Sequence, residues 1–260
     1  PDKISLPIII IPAFTFCFVF FILKIYSYYM KFEKRLLQGT LIKRYKRFFV
    51  DINYRGETIT SHCPNSGSMM GLLNPDNVVW FSKSDNPKRK LKYTLQVINT
   101  NKSSVGINTH LTNKIILEAL KLKKIKSLAK YTNIKAEQKF SDHTRFDFFL
   151  SNNKEKCFLE VKNVTLVREK NIAEFPDSVT SRGTKHLKEL INAKKKGFKS
   201  YILYLIQRED CKFFKIASDI DKEYKKAFDE AQNSGVQILC YDCKLNTEEI
   251  IINNQINYEK

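Results

Sequence analysis

Three residues on two predicted strands have the types and spacing of a metal-dependent hydrolytic site. Asp147 lies in the run Arg145-Phe-Asp-Phe-Phe-Leu150, and the motif Glu160-Val-Lys162 begins 13 residues after this aspartate. Side chains two apart on a strand project from one face, so Glu160 and Lys162 should lie together, and Asp147 on the neighbouring strand can meet them. Two carboxylates bind a hard cation such as Mg²⁺ or Mn²⁺, and a nearby lysine can orient or deprotonate a water. The pattern predicts hydrolysis of phosphodiesters.

The alternative is that both carboxylates are solvated and that Lys162 merely pairs with one of them. Apolar runs next to the two acids argue against this, because an unpaired carboxylate is costly to bury. These runs are Phe148-Phe149-Leu150 and Cys157-Phe158-Leu159.

The elements that must position these residues fall into two regions. From Gly39 to about Val105, short strand-like runs bounded by Asn, Gly, Pro or Asp predict a small barrel. From Asn108 onward, helix-like and strand-like patterns alternate, which predicts an α/β unit. The predicted strands are 146–150, 156–161, 201–206 and 237–241, and the predicted helices include 178–195 and 221–233. We therefore expect an α/β (α+β) chain with domains at 30–107 and 108–260.

A further carboxylate precedes the two strands. Glu118 lies on a predicted helix with apolar residues from Ile115 to Ile125, and packing of that helix on the strands could bring it to the site. Equally, Glu118 could be an exposed partner of Lys114 or Lys121.

Composition and net charge indicate which class of molecule the protein binds. The 260 residues include 45 Lys or Arg and 27 Asp or Glu, a net charge of +18, and 43% are hydrophobic, which excludes a disordered chain. Such basicity favours nucleic acid, although the abundance of Lys, Asn and Ile is also typical of AT-rich codons. The six cysteines have irregular spacing, which indicates a reducing compartment.

Basic residues alternate with tyrosine in two parts of the predicted barrel, as single-strand binding by stacking and phosphate neutralisation requires. Alternation along a strand would place Lys43, Tyr45 and Arg47 on one face. The alternative is an ordinary solvated strand. The candidate nucleic-acid residues of the barrel are Lys43, Arg44, Tyr45, Arg47, Lys88 and Arg89.

A second basic surface is predicted on the helix at 178–195. Arg182, Lys185, His186 and Glu189 follow helical spacing and form one face, which is free for phosphate if the apolar residues pack elsewhere. For His186 a structural hydrogen bond is nearly as good an explanation. No helix-turn-helix with base-reading residues is visible, which favours backbone contacts over operator recognition.

The segment 1–29 contains 18 uncharged residues from Leu6 to Leu23, the minimum for a membrane span. It could be an anchor, an uncleaved signal, or upstream sequence translated from a misplaced start. We favour the last interpretation because Pro7 and Pro12 interrupt the run and Met30 opens an ordinary basic segment. This interpretation predicts a cytoplasmic protein without an obligate membrane partner, with 1–29 outside the native fold.

Several runs, in order and without large gaps between Leu36 and about Tyr241, resemble the bacterial and archaeal sugar fermentation stimulation protein A family. They are His62-Cys-Pro-Asn-Ser-Gly-Ser-Met69, Ser84-Asp-Asn-Pro-Lys-Arg-Lys90, Tyr93-Thr94, Arg145-Phe-Asp147, Glu160-Val-Lys-Asn-Val-Thr165, Phe175 to Leu190, and Ile206-Gln-Arg208. The resemblance implies an OB-fold-like β-barrel followed by a PD-(D/E)xK restriction-endonuclease-like domain. It also implies non-specific DNA binding and a regulatory role in maltose and other sugar metabolism.

Transferred to this sequence, the family's nuclease-like motif falls on Asp147, Glu160 and Lys162. Glu118 would be the helix carboxylate, and Gln207 would be a polar group at the edge of the site. Two functions remain open: a DNA-binding protein with a metal-dependent phosphodiesterase site, and a non-catalytic DNA-binding regulator of sugar genes. The sequence predicts no oligomeric state.

Overall fold

The computed structural model describes residues 30–259. The apolar run at 6–23, with the three interpretations attached to it, lies outside these residues. None of the helices between residues 30 and 259 has both the length and the apolar character needed to cross a membrane.

The N-terminal region is a closed barrel of five strands, as predicted, with one short additional strand. Antiparallel pairing gives the order β3-β2-β1-β4-β5-β6, and a parallel contact of Ser61 and His62 with Tyr93 and Thr94 closes the barrel. Alternate side chains such as Val50, Ile52, Val79 and Phe81 fill its interior. The strands are β1 (Leu37–Tyr45), β2 (Phe49–Tyr54), β3 (Glu57–His62), β4 (Val78–Lys83), β5 (Tyr93–Asn99) and β6 (Ser104–Gly106).

The C-terminal region is an α/β domain built on a six-stranded sheet. Its helices are α1 (Thr112–Lys121), α2 (Ser181–Lys195) and α3 (Lys222–Asn233). The sheet contains, in chain order, β7 (Asn133–Ser141), β8 (Thr144–Ser151), β9 (Lys156–Val164), β12 (Lys199–Ile206), β14 (Gln237–Leu245) and β15 (Ile250–Gln255). A second, small sheet contains β10 (Leu166–Glu169), β11 (Ile172–Phe175), β13 (Phe213–Ile216) and β16 (Asn257–Tyr258).

Helices cover both faces of the large sheet, which runs in the order β15-β14-β12-β9-β8-β7. The strands β9, β12 and β14 are parallel and central. Along β12, Leu203 and Leu205 pack in the core beneath α1, whereas Ile202 and Tyr204 pack in the core beneath α2 and α3. Burial on both faces explains why the β12 sequence is a continuous apolar run rather than an alternating one.

Several strands have no clear sequence pattern. The edge strand β7 is mostly polar and exposed, and β10, β11, β13 and β16 have four residues or fewer. The aromatic and aliphatic segment at 40–52 is divided between two strands, because Lys46 and Arg47 adopt positive φ angles of 46° and 61° and turn the chain between β1 and β2.

A buried hydroxyl pair fixes α3 to the sheet and can be tested by a double-mutant cycle. Tyr204 and Tyr224 are fully buried, and their hydroxyl oxygens lie 2.6 Å apart. Tyr204→Phe or Tyr224→Phe leaves one buried hydroxyl without its partner and should lower the free energy of unfolding by about 1–3 kcal/mol. The double variant should lose less than the sum of the two single losses, as measured by urea denaturation. Strictly additive losses would contradict the interaction.

Candidate metal and nucleic-acid site

The candidate site lies where strands β8 and β9 separate. Their pairing runs from Ser151 with Lys156 to Phe148 with Leu159, and no further pair follows. At the next position a side chain replaces the main-chain acceptor of β8. Oδ2 of Asp147 accepts a hydrogen bond of 2.8 Å from the main-chain N–H of Val161. The carboxylate of Asp147 is therefore held between the two strands.

Glu160 presents its carboxylate to α2. Its Oε1 accepts a hydrogen bond of 2.8 Å from Lys162 Nζ and also contacts Nδ1 of His186. The shared face of Glu160 and Lys162 is the one that strand alternation predicts. Glu160 is only 3% exposed, and its Oε2 is buried with no hydrogen-bond partner among residues 30–259.

The first turn of α1 supplies a residue that the sequence analysis missed. Asn113 Nδ2 donates a hydrogen bond of 2.8 Å to Asp147 Oδ1, so both oxygens of that carboxylate are oriented. The available signal was the polar pair Thr112-Asn113 at the start of the helix.

The two carboxylates have opposite pKa shifts. Burial, together with the charge of Glu160, raises the pKa of Asp147 to about 6. Burial acts in the same direction on Glu160, but Lys162 and His186 outweigh it and lower the pKa of Glu160 below its ordinary value. At neutral pH both groups are predominantly ionised, and they repel each other.

These residues fit a hard divalent cation. A buried carboxylate oxygen without a partner, next to a second carboxylate of raised pKa, is the donor set that a cation would satisfy. Within residues 30–259 no group of three His, Cys, Asp or Glu is arranged to hold a metal. The protein would therefore supply Asp147 and Glu160, and water or a phosphate would complete the coordination, as is usual for Mg²⁺.

Glu118 does not join them, so the expected helix carboxylate is absent from this site. It lies five residues after Asn113, which is about 140° around the helix. Its carboxylate instead accepts a hydrogen bond from the main-chain N–H of Met30, and burial raises its pKa.

Gln207 borders the site without touching its carboxylates. Its Nε2 donates hydrogen bonds to Asn163 Oδ1 (2.5 Å) and to Thr112 Oγ1 (3.2 Å), which ties the end of β9 to the start of α1. The side chain is fully buried, and its Oε1 has no partner among the described residues. Gln207 thus positions the elements that carry Lys162 and Asn113.

An open basic pocket of about 750 Å³ adjoins His186. Arg182 and Lys185 on α2 are exposed there, and Lys139 and Arg145 approach from the β7–β8 hairpin. His186 itself is only 7% exposed and contacts Glu160, so the expectation that it is free for phosphate was wrong. Of the predicted basic helix face, Arg182 and Lys185 remain exposed.

In the barrel, Arg44 has a structural role rather than the predicted phosphate contact. Its Nε donates to the carbonyl of Arg47 (2.8 Å), and its Nη2 donates to the carbonyls of Asn65 (2.8 Å) and Gly67 (3.0 Å). Its Nη1 lies 3.3 Å from the carbonyl of Ser68. The guanidinium therefore fastens the loop at 65–68 to the barrel.

The expected row of Lys43, Tyr45 and Arg47 is broken. Lys43 and Tyr45 do share a face, since Lys43 Nζ and the Tyr45 hydroxyl lie 4.0 and 3.2 Å from the Asp51 carboxylate. Arg47 lies in the turn beyond β1 and lines a cavity of about 360 Å³ together with Asn163 at the end of β9. The turn therefore redirects Arg47 towards the α/β domain.

The other two barrel candidates differ in exposure. Lys88 is exposed, whereas Arg89 is half-buried and donates a hydrogen bond of 2.6 Å from Nη2 to Thr94 Oγ1. Arg89 lines a groove between the barrel and α1.

Comparison with known proteins gives consistent matches over both domains. The model of the "SfsA N-terminal OB domain" matches residues 42–107, and that of the "Sugar fermentation stimulation protein RE domain" matches residues 110–249. The chain is 55% identical over 227 residues to a sugar fermentation stimulation protein homolog of Pelagibacter ubique, covering 87% of this chain and 98% of the relative. It is 41% identical to a homolog of the same name from Maricaulis maris, covering 88% and 99%. The structure of Pyrococcus furiosus SfsA in complex with Ca²⁺ superposes with a TM-score of 0.80 at 23% identity, covering 89% of this chain and 98% of that one.

The raised pKa of Asp147 can be measured by carbon-13 NMR titration of the metal-free protein. We expect its carboxyl to titrate near pH 6, whereas Asp219, whose pKa the hydrogen-bonded Arg168 guanidinium lowers to about 2, provides an internal reference. An unfolded aspartate titrates near pH ~3.9. Between that pH and about 6, the folded state therefore binds more protons than the unfolded state. The contribution of Asp147 to stability should therefore decrease as pH rises from about 4 to about 6. Glu160→Gln should lower the pKa of Asp147, and an unchanged pKa would contradict the proximity of the two acids.

The role of Arg44 can be tested against its neighbour on β1. Arg44→Ala leaves several loop carbonyls without their donor and should lower the free energy of unfolding by about 1–3 kcal/mol. Lys43→Ala removes an exposed cation whose ion-pair partner, Asp51, is 4.0 Å away. This substitution should change the free energy of unfolding by less than about 0.5 kcal/mol. Thermal unfolding of the two variants distinguishes a structural arginine from a surface one.

Proposed function

The chain belongs to the sugar fermentation stimulation protein family, and from this premise we propose that it binds DNA through the backbone and hydrolyses phosphodiesters with a divalent cation. The observation that carries the proposal is the buried Oε2 of Glu160, which has no partner within residues 30–259. A buried acceptor of this kind costs free energy unless a ligand satisfies it.

The nature of the ion follows from its ligands. Asp147 and Glu160 offer oxygen atoms only, which suits Mg²⁺, Mn²⁺ or Ca²⁺ better than zinc. The Pyrococcus furiosus relative was solved in complex with Ca²⁺, which supports a hard divalent cation in this chain as well. We take Mg²⁺ or Mn²⁺ to be the working ion because these support phosphoryl chemistry most often.

The bound cation would polarise a phosphoryl oxygen and neutralise charge on the phosphate. Asn113 and the Val161 N–H orient Asp147, so its carboxylate has little freedom to reorganise. Lys162 Nζ, held 2.8 Å from Glu160, can orient a water or stabilise the negative charge that develops on the phosphate. His186 fixes Glu160 from the side of α2.

The substrate would be held by charge rather than by base contacts. Arg182 and Lys185 flank the site on α2, and the whole chain has a net charge of +18. Phosphate neutralisation of this kind gives binding that varies little with sequence and weakens steeply with salt. DNA, including single-stranded DNA, is the proposed partner.

We assign the protein to the cytoplasm. The five cysteines of the described residues are all free and buried, which suits a reducing compartment.

One observation favours a non-catalytic alternative, a DNA-binding regulator of sugar metabolism genes such as those for maltose. Lys162 and His186 already engage Glu160 Oε1, and a cation must compete with these two groups for the carboxylate. If Lys162 and His186 keep the carboxylate from the cation, their contacts with Glu160 serve only to stabilise the domain.

Metal linkage and cleavage separate the two functions. Mg²⁺ or Mn²⁺ should raise the melting temperature, because the ion binds the folded state and relieves repulsion between Asp147 and Glu160. Asp147→Asn should abolish this rise. Lys162→Met should retain the rise but lower degradation of labelled DNA by about 100-fold or more.

The matched control is Asp229→Asn, a partly exposed carboxylate on α3 that pairs with Lys225 and lies outside the basic pocket next to His186. It should change neither the metal response nor cleavage. A metal response without DNA degradation in the unaltered protein would favour the regulator, and no metal response at all would refute the cation site.

A further inference from the structure

A groove of about 700 Å³ lies between the barrel and α1, away from the residues that hold Asp147. Its barrel wall comes from β3, β4, β5 and the loop that follows β4, and residues 30–34 contribute one side. Along α1, Lys114, Leu117, Glu118 and Lys121 line it with the spacing of one helix face. Asn113 is one residue, or about 100°, away from that face, so α1 separates the groove from the metal site.

The charge of the groove is predominantly positive. Six Lys or Arg residues line it against three acids. These are Lys31, Lys34, Lys83, Arg89, Lys114 and Lys121 against Glu33, Asp85 and Glu118. Two of the acids are already engaged, since Asp85 pairs with Lys34 and Glu118 accepts the Met30 N–H. The exposed Lys83 and Lys114, together with Arg89, favour an anionic ligand.

The interior of the groove consists of fixed polar side chains. Gln96 Nε2 donates to Ser82 Oγ, and Asn108 Nδ2 donates to Gln96 Oε1, each at 2.9 Å. Thr94, Gln96 and Asn108 are each less than 8% exposed, so their positions are set by packing as well as by hydrogen bonds. Arg89 donates to Thr94 through Nη2, and its other N–H groups make no hydrogen bond within residues 30–259. A rigid amide and hydroxyl floor beneath an arginine suits a ligand that has both a charged and a polar uncharged part.

Two histidines supply the aromatic surface. The His62 and His110 rings lie 6.5 Å apart, and His62 also stacks on Phe48. Burial, followed by the charges of Arg89 and His110, lowers the pKa of His62 and favours the neutral ring, which has one donor and one acceptor nitrogen. Neutral imidazoles can stack on or hydrogen-bond a nucleobase.

We propose that this groove binds a phosphate-bearing nucleotide, either free in solution or as part of a single strand. Arg89, Lys83 and Lys114 contact the phosphate, and the base lies against the histidines and the amide floor. The volume is within the range of small-ligand sites. The inference extends the proposed nucleic-acid function, but it requires neither the cation nor cleavage.

Fluorescence anisotropy can test the groove independently of the metal site. The full chain is titrated, in EDTA, into a fluorescein-labelled oligothymidylate of about 12 nucleotides. Lys83→Glu/Lys114→Glu should weaken binding by about tenfold or more, because both lysines are exposed and face the groove. Lys222→Glu/Lys226→Glu, on the exposed side of α3, changes the net charge by the same amount. It should weaken oligonucleotide binding by less than about threefold. Equal losses in the two double variants would overturn the proposal.

Competition distinguishes the two sources of the nucleotide. If thymidine monophosphate displaces the oligonucleotide and inorganic phosphate does not, the groove accepts free nucleotides. If neither displaces it while the groove variant still loses affinity, the ligand is a strand. Displacement by inorganic phosphate as effectively as by the nucleotide would overturn the assigned base contacts. The Mg²⁺-dependent rise in melting temperature should be intact in the groove variant, so failure of the groove and failure of the metal site are separate results.

Discussion

The buried carboxylate of Glu160 imposes the main electrostatic constraint on the α/β domain. A charge at 3% exposure is tolerated only when partners compensate it, and two come from different elements: Lys162 from the same strand and His186 from α2. Among residues 30–259, the Oε2 atom of Glu160 has no hydrogen-bond partner. The same constraint therefore fixes α2 over the sheet.

Orientation of the second carboxylate depends on an interrupted sheet. If β8 and β9 continued to pair, the Val161 N–H would be a ladder donor rather than a partner of Asp147. The start of α1 stabilises this interruption of the sheet. Thr112 accepts a hydrogen bond from Gln207, and Asn113 donates one to Asp147. The loss of regular pairing between β8 and β9 is compensated by side-chain hydrogen bonds from elements distant in sequence.

The two domains meet through a loop that the barrel itself secures. Arg44 binds the carbonyls of the loop at 65–68, and Met69 N–H of the same region approaches Asp177, which precedes α2, at 3.4 Å. A Cβ atom on Gly67 would lie 2.2 Å from the Asp177 carboxylate, so a larger residue here would displace that side chain. The junction brings Arg47 of the barrel to the cavity at the end of β9. Residues of the barrel can thus reach the edge of the α/β site.

The sequence predicted a barrel followed by an α/β domain, the alternation of the three helices with β8, β9, β12 and β14, and the shared face of Glu160 and Lys162. These features depend on local periodicity and on residue types that need burial or pairing. The short strands of the second sheet, the roles of Arg44 and Asn113, and the separation of Glu118 from the site could not be predicted. Each of them depends on which residues distant in sequence come together: Arg44 serves the loop at 65–68, Asn113 reaches across 34 positions to Asp147, and Glu118 faces Met30. The sequence determined which groups could do chemistry, and the tertiary structure decided which of them meet, because hydrogen-bond partners are assigned by packing rather than by spacing along the chain.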